Sequence, residues 1–323
     1  VIILFALWIS VGCRKNKDEP DTPIEPKEFG IGKFLDNWTC TVNPGKTSNF
    51  DIAHFTVWVP NPADVSNLKA IVVLANHSNS NGLGLVYDKA WQDFAKANNV
   101  GLLAFRLENL NSKLDMDEMY PEAQKGSGDA LLLALEAIAN KNNIASIAAL
   151  PFLFRGYSAG GMFGYNFSAY KPDRVIAFSN IRGWYLNPTS TVNNGIPGLF
   201  LIAELDTEQV VDNINPVVRM KEIVQAKRKQ GALWSYAIEA HMDHGDDVSK
   251  SDELTRLFFS SAMKYRLTNG SNKLVSVPES SGWLGDNTSV LVYSYGNYPT
   301  DKSDASWLID EPFAKKWVSY QDK

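Results

Sequence analysis

The sequence predicts an α/β fold in which a mostly parallel, doubly wound sheet carries helices on both faces. From about residue 50 onward, strand-like and helix-like segments alternate along the chain, as they do when a crossover helix follows each parallel strand. The strand-like segments are continuous apolar runs, which is typical of strands that are buried on both faces. A chain of 323 residues with 45% hydrophobic and 21% charged residues can bury a core of this kind in one large domain.

Each element follows from a local pattern. Short runs of β-branched and apolar residues, such as "LKAIVVLA" and "GLFLIAEL", predict strands, whereas longer runs with apolar residues at helical spacing, such as "DKAWQDFAKANN", predict helices. In chain order, the predicted strands are 55–60, 68–75, 100–107, 151–154, 174–180, 198–205 and 233–239. The predicted helices are 88–99, 127–143, 159–170, 216–231 and 252–267. Open sheets of this class hold their ligand sites at the carboxyl ends of the strands.

The two ends of the chain differ in character from this alternating region. We expect residues 30–270 to form the main domain. Residues 271–323 are aromatic and turn-rich, and they are short enough to form a small appendage packed on that domain rather than an independent unit.

The N-terminal segment has the pattern of a processing signal. Residues 1–12 are apolar, too short to span a bilayer and end in small residues before Cys13, which predicts a truncated signal peptide. The run Ser-Val-Gly-Cys resembles a bacterial lipobox, and this implies lipidation of Cys13. Residues 13–29 form a tether rich in proline and charge. We therefore expect an extracytoplasmic protein that is lipid-anchored to the bacterial outer membrane and exposed at its surface. An ordinary cleaved signal and a truncated anchor helix remain alternatives.

Charge and cysteine content exclude two classes of protein. The net charge is −5 and there is no basic tract, so we expect no nucleic-acid partner, because binding to phosphates requires clustered Lys and Arg. Two cysteines, Cys13 and Cys40, provide no disulfide framework.

The stretch "RGYSAGGMFGYN", residues 155–166, predicts a sharp turn between a buried strand and a helix. Gly156 and Gly160 flank Ser158 in the pattern G-x-S-x-G, in which small neighbours let the serine hydroxyl stand exposed on a strained turn. The pattern alone is weak, because roughly one chain in ten of this length contains it by chance. Residues elsewhere in the chain must support it.

Two further strand ends supply the partners that an exposed serine needs. A serine is a poor nucleophile at neutral pH unless a base accepts its proton and an acid orients that base. The strand 198–205 is followed by Asp206, and the loop after the strand 233–239 contains His241 and His244. The order Ser, Asp, His along the chain is that of doubly wound hydrolases.

The elbow, the strand that ends at Asp206 and the segment "AIEAHMDHGDD" together resemble α/β-hydrolase serine esterases over about residues 50–270. Among these esterases, the chain most resembles the group that contains polyhydroxyalkanoate-depolymerase-like and feruloyl- or acetyl-esterase-like enzymes. The resemblance implies catalytic roles for Ser158, Asp206 and His244. In these proteins the base lies in a Glu-Pro-Gly-x-Gly-His-like loop, which aligns His244 with the base and puts His241 in place of a glycine. We favour His244 and keep His241 as the alternative.

The remaining candidate residues surround this serine. The oxyanion requires two backbone N–H donors, for which we expect Ala159, directly after the nucleophile, and Asn79, in the loop after the strand 68–75. His77 in that loop is a candidate pocket residue, although it more commonly braces the loop. Trp184 and Tyr185 follow the strand after the elbow helix and are candidate walls of an acyl or aryl pocket.

A metal site is the competing interpretation of the loop that contains His241 and His244. Two histidines three residues apart, with carboxylates close by, are able to ligate zinc or calcium. The acidic residues in question are Asp243, Asp246 and Asp247. The loop supplies no third histidine at a defined spacing, so we expect neither a metal nor another cofactor.

The sequence thus predicts a serine carboxylic-ester hydrolase that acts on small-molecule, polymer or polysaccharide-linked esters outside the cell. Two alternatives remain: a serine peptidase of the same fold, and a glycan-binding surface lipoprotein without catalysis. The polymeric substrate rests on the family resemblance alone, and the sequence does not predict an oligomeric state.

Overall fold

A computed structural model describes residues 38–78, 80–109, 120–183, 190–206, 215–268 and 273–322. The predicted signal peptide and tether, with Cys13, lie outside the described residues. So do Asn79, Trp184 and Tyr185. Within the described ranges, no helix has the length and apolar character needed to cross a membrane.

Eight strands form one mixed sheet in the order β1-β2-β4-β3-β5-β6-β7-β8. They are β1 Thr39–Thr41, β2 Ile52–Trp58, β3 Ile71–Ala75, β4 Gly101–Glu108, β5 Phe152–Tyr157, β6 Val175–Ile181, β7 Gly198–Ala203 and β8 Trp234–Glu239. β2 pairs antiparallel with both β1 and β4, and all other neighbours in this sheet are parallel. The predicted mostly parallel sheet is confirmed. The short edge strand β1 has no counterpart among the predicted strands.

Helices cover both faces of the sheet. They are α1 Lys89–Asn98, α2 Ser127–Lys141, α3 Ala159–Tyr170, α4 Pro216–Arg228, α5 Ser249–Arg266 and α6 Glu311–Tyr320. One apolar core includes side chains from α2, α3 and α4, and a second core, on the other face, includes side chains from α1, α5 and α6. This is the doubly wound α/β architecture that the sequence predicts.

The strand β3 shows why the sequence pattern is continuous rather than alternating. Ile71, Val73 and Ala75 belong to the first core, whereas Val72 and Leu74 belong to the second. Both sets of side chains are fully buried. A central parallel strand therefore needs apolar residues at every position.

The C-terminal segment, residues 273–322, adds a small antiparallel sheet and the helix α6. Its strands are β9 Trp283–Gly285, β10 Val292–Ser294 and β11 Ser306–Leu308, in the order β10-β9-β11. Trp307 and Trp317 are buried in the second core. The segment is therefore an integral part of that core.

The same segment covers the outer edge of β8 with side chains. The backbone N–H of Tyr236 donates to Ser306 Oγ at 3.2 Å, and its carbonyl accepts from Trp317 Nε1 at 2.8 Å. Two residues further on, the N–H of Ile238 donates to Gln321 Oε1 at 3.1 Å. An edge strand with free backbone groups is a template for aggregation, and here side chains satisfy those groups.

Candidate active site

Ser158 lies at the apex of a sharp turn between β5 and α3. Its backbone has φ 53° and ψ −122°, a region that costs an L-residue energy and persists only where the surroundings enforce it. A Cβ atom on Gly156 would lie 2.1 Å from the carbonyl oxygen of Gly160, and one on Gly160 would lie 2.5 Å from that of Asn76. The two glycines are therefore a steric requirement of the elbow.

Two further segments meet at this elbow: the loop between β8 and α5, residues 240–248 (the histidine loop), and the turn after β7 that carries Asp206 (the aspartate turn). His244, after β8, places Nε2 at 3.0 Å from Ser158 Oγ and Nδ1 at 2.9 Å from Asp206 Oδ2. The structure thus brings together the three residues that the sequence predicts to be catalytic, from three different strand ends.

This arrangement fixes the tautomer of the imidazole. A carboxylate is an acceptor only, so the nitrogen that faces Asp206 carries the proton. Nε2 then presents its lone pair to the hydroxyl of Ser158, which is the orientation that a general base requires.

The site is almost closed to solvent. The exposed fractions are 7% for Ser158, 5% for His244 and 2% for Asp206. Electrostatic interactions are stronger in such an environment than in water, so the carboxylate stabilises a positive charge on the imidazole effectively.

Backbone contacts hold the aspartate turn against the histidine loop. The N–H of Leu205 donates to the carbonyl of Met242 at 2.8 Å, and the N–H of Glu204 donates to that of Glu239 at 3.0 Å. The N–H of His241 donates to the side chain of Glu204 at 2.9 Å. These bonds set the distance between the two loops.

His241 takes no part in the contact between Ser158 and His244. Its side chain is 75% exposed, and its Nδ1 is 3.9 Å from Glu204 Oε2. His241 adopts φ 60°. A glycine adopts this conformation without strain, whereas it is uncommon for a residue with a Cβ atom.

Two further side chains, which no sequence motif marks, hold the carbonyl of His244. The hydroxyl of Tyr157 donates to it at 2.6 Å, and Arg182 Nη1 donates to it at 3.0 Å. Tyr157 occupies the unrestricted x of G-x-S-x-G, and Arg182 follows β6 without a recognisable pattern. Only the tertiary structure reveals these two contacts.

The structure describes some of the residues that the sequence predicts for the oxyanion hole and the pocket. Ala159 is the first residue of α3, where backbone N–H groups have no partner within the helix. The ring of His77 contacts that of Tyr157 edge-on, with centroids 5.9 Å apart, and desolvation lowers the pKa of His77. Its Nδ1 lies 3.2 Å from the carbonyl of Ser78. The other three, Asn79, Trp184 and Tyr185, lie outside the described residues.

The competing metal interpretation finds no support in the geometry of the loop. In the described ranges, no group of three or more His, Cys, Asp or Glu side chains is arranged to hold a metal ion. Both ring nitrogens of His244 face protein partners. The carboxylates of Asp243 and Asp246 accept hydrogen bonds from backbone N–H groups of the same loop.

No protein-family model and no curated protein sequence matches the chain. It is similar to solved structures, among them the poly(3-hydroxybutyrate) depolymerase LpqC from Bordetella parapertussis, with 13% identity and a TM-score of 0.49 over 72% of this chain and 90% of that one. Esterase PE8 has 17% identity and a TM-score of 0.45, over 60% and 93%. An acetyl xylan esterase from Aspergillus awamori has 10% identity and a TM-score of 0.45, over 68% and 99%.

Proposed function

We propose that the chain is a serine carboxylic-ester hydrolase. The observation that carries the proposal is the pair of contacts that His244 makes, at 3.0 Å to Ser158 Oγ and at 2.9 Å to Asp206 Oδ2, next to a strained strand-to-helix turn. A hydroxyl, an imidazole and a carboxylate in this order are the parts of an acyl-transfer site.

The reaction follows from this arrangement in two halves. Ser158 Oγ attacks the ester carbonyl while His244 Nε2 accepts its proton, and Asp206 stabilises the imidazolium that forms. The N–H groups of Ala159 and Asn79 are proposed to stabilise the oxyanion. His244 then protonates the leaving alcohol, which departs and leaves an acyl-serine. Water attacks this ester with His244 as the base, which releases the acid and restores the serine.

Two observations support the donors proposed for the oxyanion. Ala159 begins α3, so its N–H belongs to the free first turn and to the positive end of the helix dipole. The close approach of Gly160 to Asn76 brings the loop after β3, which leads to Asn79, against the start of the same helix.

The first test is hydrolysis of p-nitrophenyl acetate, together with labelling by a fluorophosphonate, which reacts with activated serines. We expect the chain without residues 1–27 to do both, and Ser158→Ala to lose both, because His244 lies within hydrogen-bond distance of the Ser158 hydroxyl. The matched control is Ser280→Ala, an exposed serine of the C-terminal segment, which should keep full activity. A parent chain that neither hydrolyses the ester nor reacts with the label would refute the proposal and favour the glycan-binding alternative. Cleavage of a peptide panel instead of esters would favour the peptidase.

The natural substrate is proposed to be an ester carried by an extracellular polymer or polysaccharide, with the enzyme anchored to the outer membrane through Cys13. The support is the N-terminal sequence pattern: an apolar segment, small residues before the cysteine, and a polar tether. We expect a palmitate analogue to label the full-length protein in bacteria and not its Cys13→Ser variant. The second cysteine provides the control, since Cys40→Ser should label normally. An unlabelled parent would show that the segment is not a lipoprotein signal.

A further inference from the structure

We propose that Arg182 and Tyr320 are positioning residues, which hold the loop of His244 in register with Ser158, so that the C-terminal segment takes part in catalysis. This inference rests on the proposed function of the site. It assigns a role to a buried cluster on the far side of the histidine loop, formed by Arg182, Glu239, Ser251 and Tyr320.

Arg182 binds the backbone of the histidine loop at several points. Its side chain is 1% exposed, and Nη1 donates to the carbonyls of His244 at 3.0 Å and Asp246 at 2.6 Å. Nη2 donates to the carbonyl of Asp247 at 3.2 Å. The planar guanidinium presents its donors in a fixed geometry, so it fixes the relative positions of these carbonyls and thus the course of the loop directly after the base.

Glu239 fixes the guanidinium in turn. It is the last residue of β8, and its Oε2 lies 3.2 Å from Arg182 Nη2, with only 3% of its side chain exposed. A buried charge pair that loses one partner leaves an uncompensated charge, which is strongly destabilising. The pair therefore ties the end of β8 to the far side of the loop that β8 leads into.

Tyr320 connects this pair to the C-terminal helix. Its hydroxyl lies 3.1 Å from Glu239 Oε2 and 2.8 Å from Ser251 Oγ, and Ser251 Oγ lies 3.2 Å from the same carboxylate oxygen. Burial, together with the carboxylate of Glu239, raises the pKa of Tyr320. The phenol consequently stays protonated and donates to Glu239. Tyr320 is the last residue of α6. Its contact with Glu239 therefore links the packed helix to Arg182 and, through Arg182, to the loop of His244.

The consequence for catalysis is geometric. His244 Nε2 and Ser158 Oγ are 3.0 Å apart, and a proton transfer across this contact loses efficiency when the distance grows, since misplacement by about 1 Å can cost on the order of a hundredfold in rate. The candidate pocket residues His77, Trp184 and Tyr185 belong to other loops of the sequence, after β3 and after β6. A displaced histidine loop should therefore lower kcat and leave KM unchanged.

The test compares Tyr320→Phe with Tyr298→Phe in the chain without residues 1–27. Both tyrosines are buried in the C-terminal segment. Tyr320→Phe loses the hydroxyl contacts to Glu239 and Ser251, and Tyr298→Phe loses a contact of 3.4 Å to Asp286. We expect kcat for p-nitrophenyl acetate to fall about tenfold in Tyr320→Phe, with KM unchanged, and to stay at the parental value in Tyr298→Phe. Arg182→Lys keeps the positive charge but loses the planar guanidinium with its several N–H donors, and we expect kcat to decrease by about a hundredfold. Equal kcat in the two Phe variants would overturn the proposal.

Hydrogen exchange separates this proposal from the proposed function. We expect the amides of residues 239–248 to exchange about tenfold faster in Tyr320→Phe than in the parent or in Tyr298→Phe, because the loop opens more often when it is held less firmly. Unchanged exchange in this segment would overturn the positioning role even in an active enzyme. If the parent itself neither hydrolyses esters nor reacts with the fluorophosphonate, the proposed function fails, and exchange alone then decides whether Tyr320 holds the loop.

Discussion

Replacing His244 by alanine lowers kcat/KM for p-nitrophenyl acetate by about 10⁴-fold or more, as does replacing Ser158, and the double variant is no slower than either single one. The reason is that the two side chains act as one unit across a contact of 3.0 Å. Once either partner is lost, the serine is no longer activated, and only oxyanion stabilisation and binding contribute. Initial rates at saturating and at low ester concentration give both kinetic constants.

His241→Ala is the matched control for this prediction, since it removes an imidazole from the same loop. We expect its kcat to stay within about twofold of the parental value, because the side chain is 75% exposed and contacts Glu204 rather than Ser158. A parental rate in His244→Ala, combined with a large loss in His241→Ala, would contradict the assignment of the base.

Removing residues 271–323 prevents folding. The deletion takes eleven buried side chains out of the second core: Val277, Leu284, Tyr298, Ala305, Trp307, Leu308, Ile309, Phe313, Ala314, Trp317 and Tyr320. Truncating a single large core residue costs about 2–5 kcal/mol, whereas a whole domain is stable by only about 5–15 kcal/mol. The deletion also exposes the edge of β8 at Tyr236 and Ile238, which then becomes available for intermolecular pairing.

Thermal unfolding and size-exclusion chromatography test this prediction. The chain ending at residue 270 should show no cooperative transition and should aggregate, whereas a chain without Asp322 and Lys323 should melt like the parent. The short deletion leaves Gln321 and its bond to Ile238 in place. A soluble chain ending at residue 270 that melts cooperatively and still reacts with the fluorophosphonate would show that the C-terminal segment is dispensable for the fold.

The main sheet and its helices were predictable because their signals are local. The strands β3 to β8 coincide with apolar runs, since a strand buried on both faces needs an apolar residue at each position. The C-terminal segment was harder to predict. Its strands have only three residues each, too few for a periodic pattern, and the helix α6 lies within a stretch whose composition suggested turns.

The candidate catalytic residues were predictable for a related reason. The elbow requires glycines at fixed spacing around Ser158, and parallel strands deliver their carboxyl ends to one edge of the sheet, so Asp206 and His244 were expected near the serine. The choice between His241 and His244 depended on a resemblance, because both lie in one loop. In the folded protein His244 Nε2 lies 3.0 Å from Ser158 Oγ, whereas the side chain of His241 is largely exposed.

The sequence by itself determined the order of the strands β2 to β8 and the helices α1 to α5, the elbow and the residue types of the candidate site, because backbone sterics and hydrophobic periodicity act over a few neighbouring residues. Only the tertiary structure decided which side chains fix that site. The contact of Arg182 with Glu239 spans 57 positions of the chain, and that of Tyr320 with Glu239 spans 81. Contacts over such separations leave no spacing pattern in a single sequence, since they arise when packing brings distant strand ends and the C-terminal helix together.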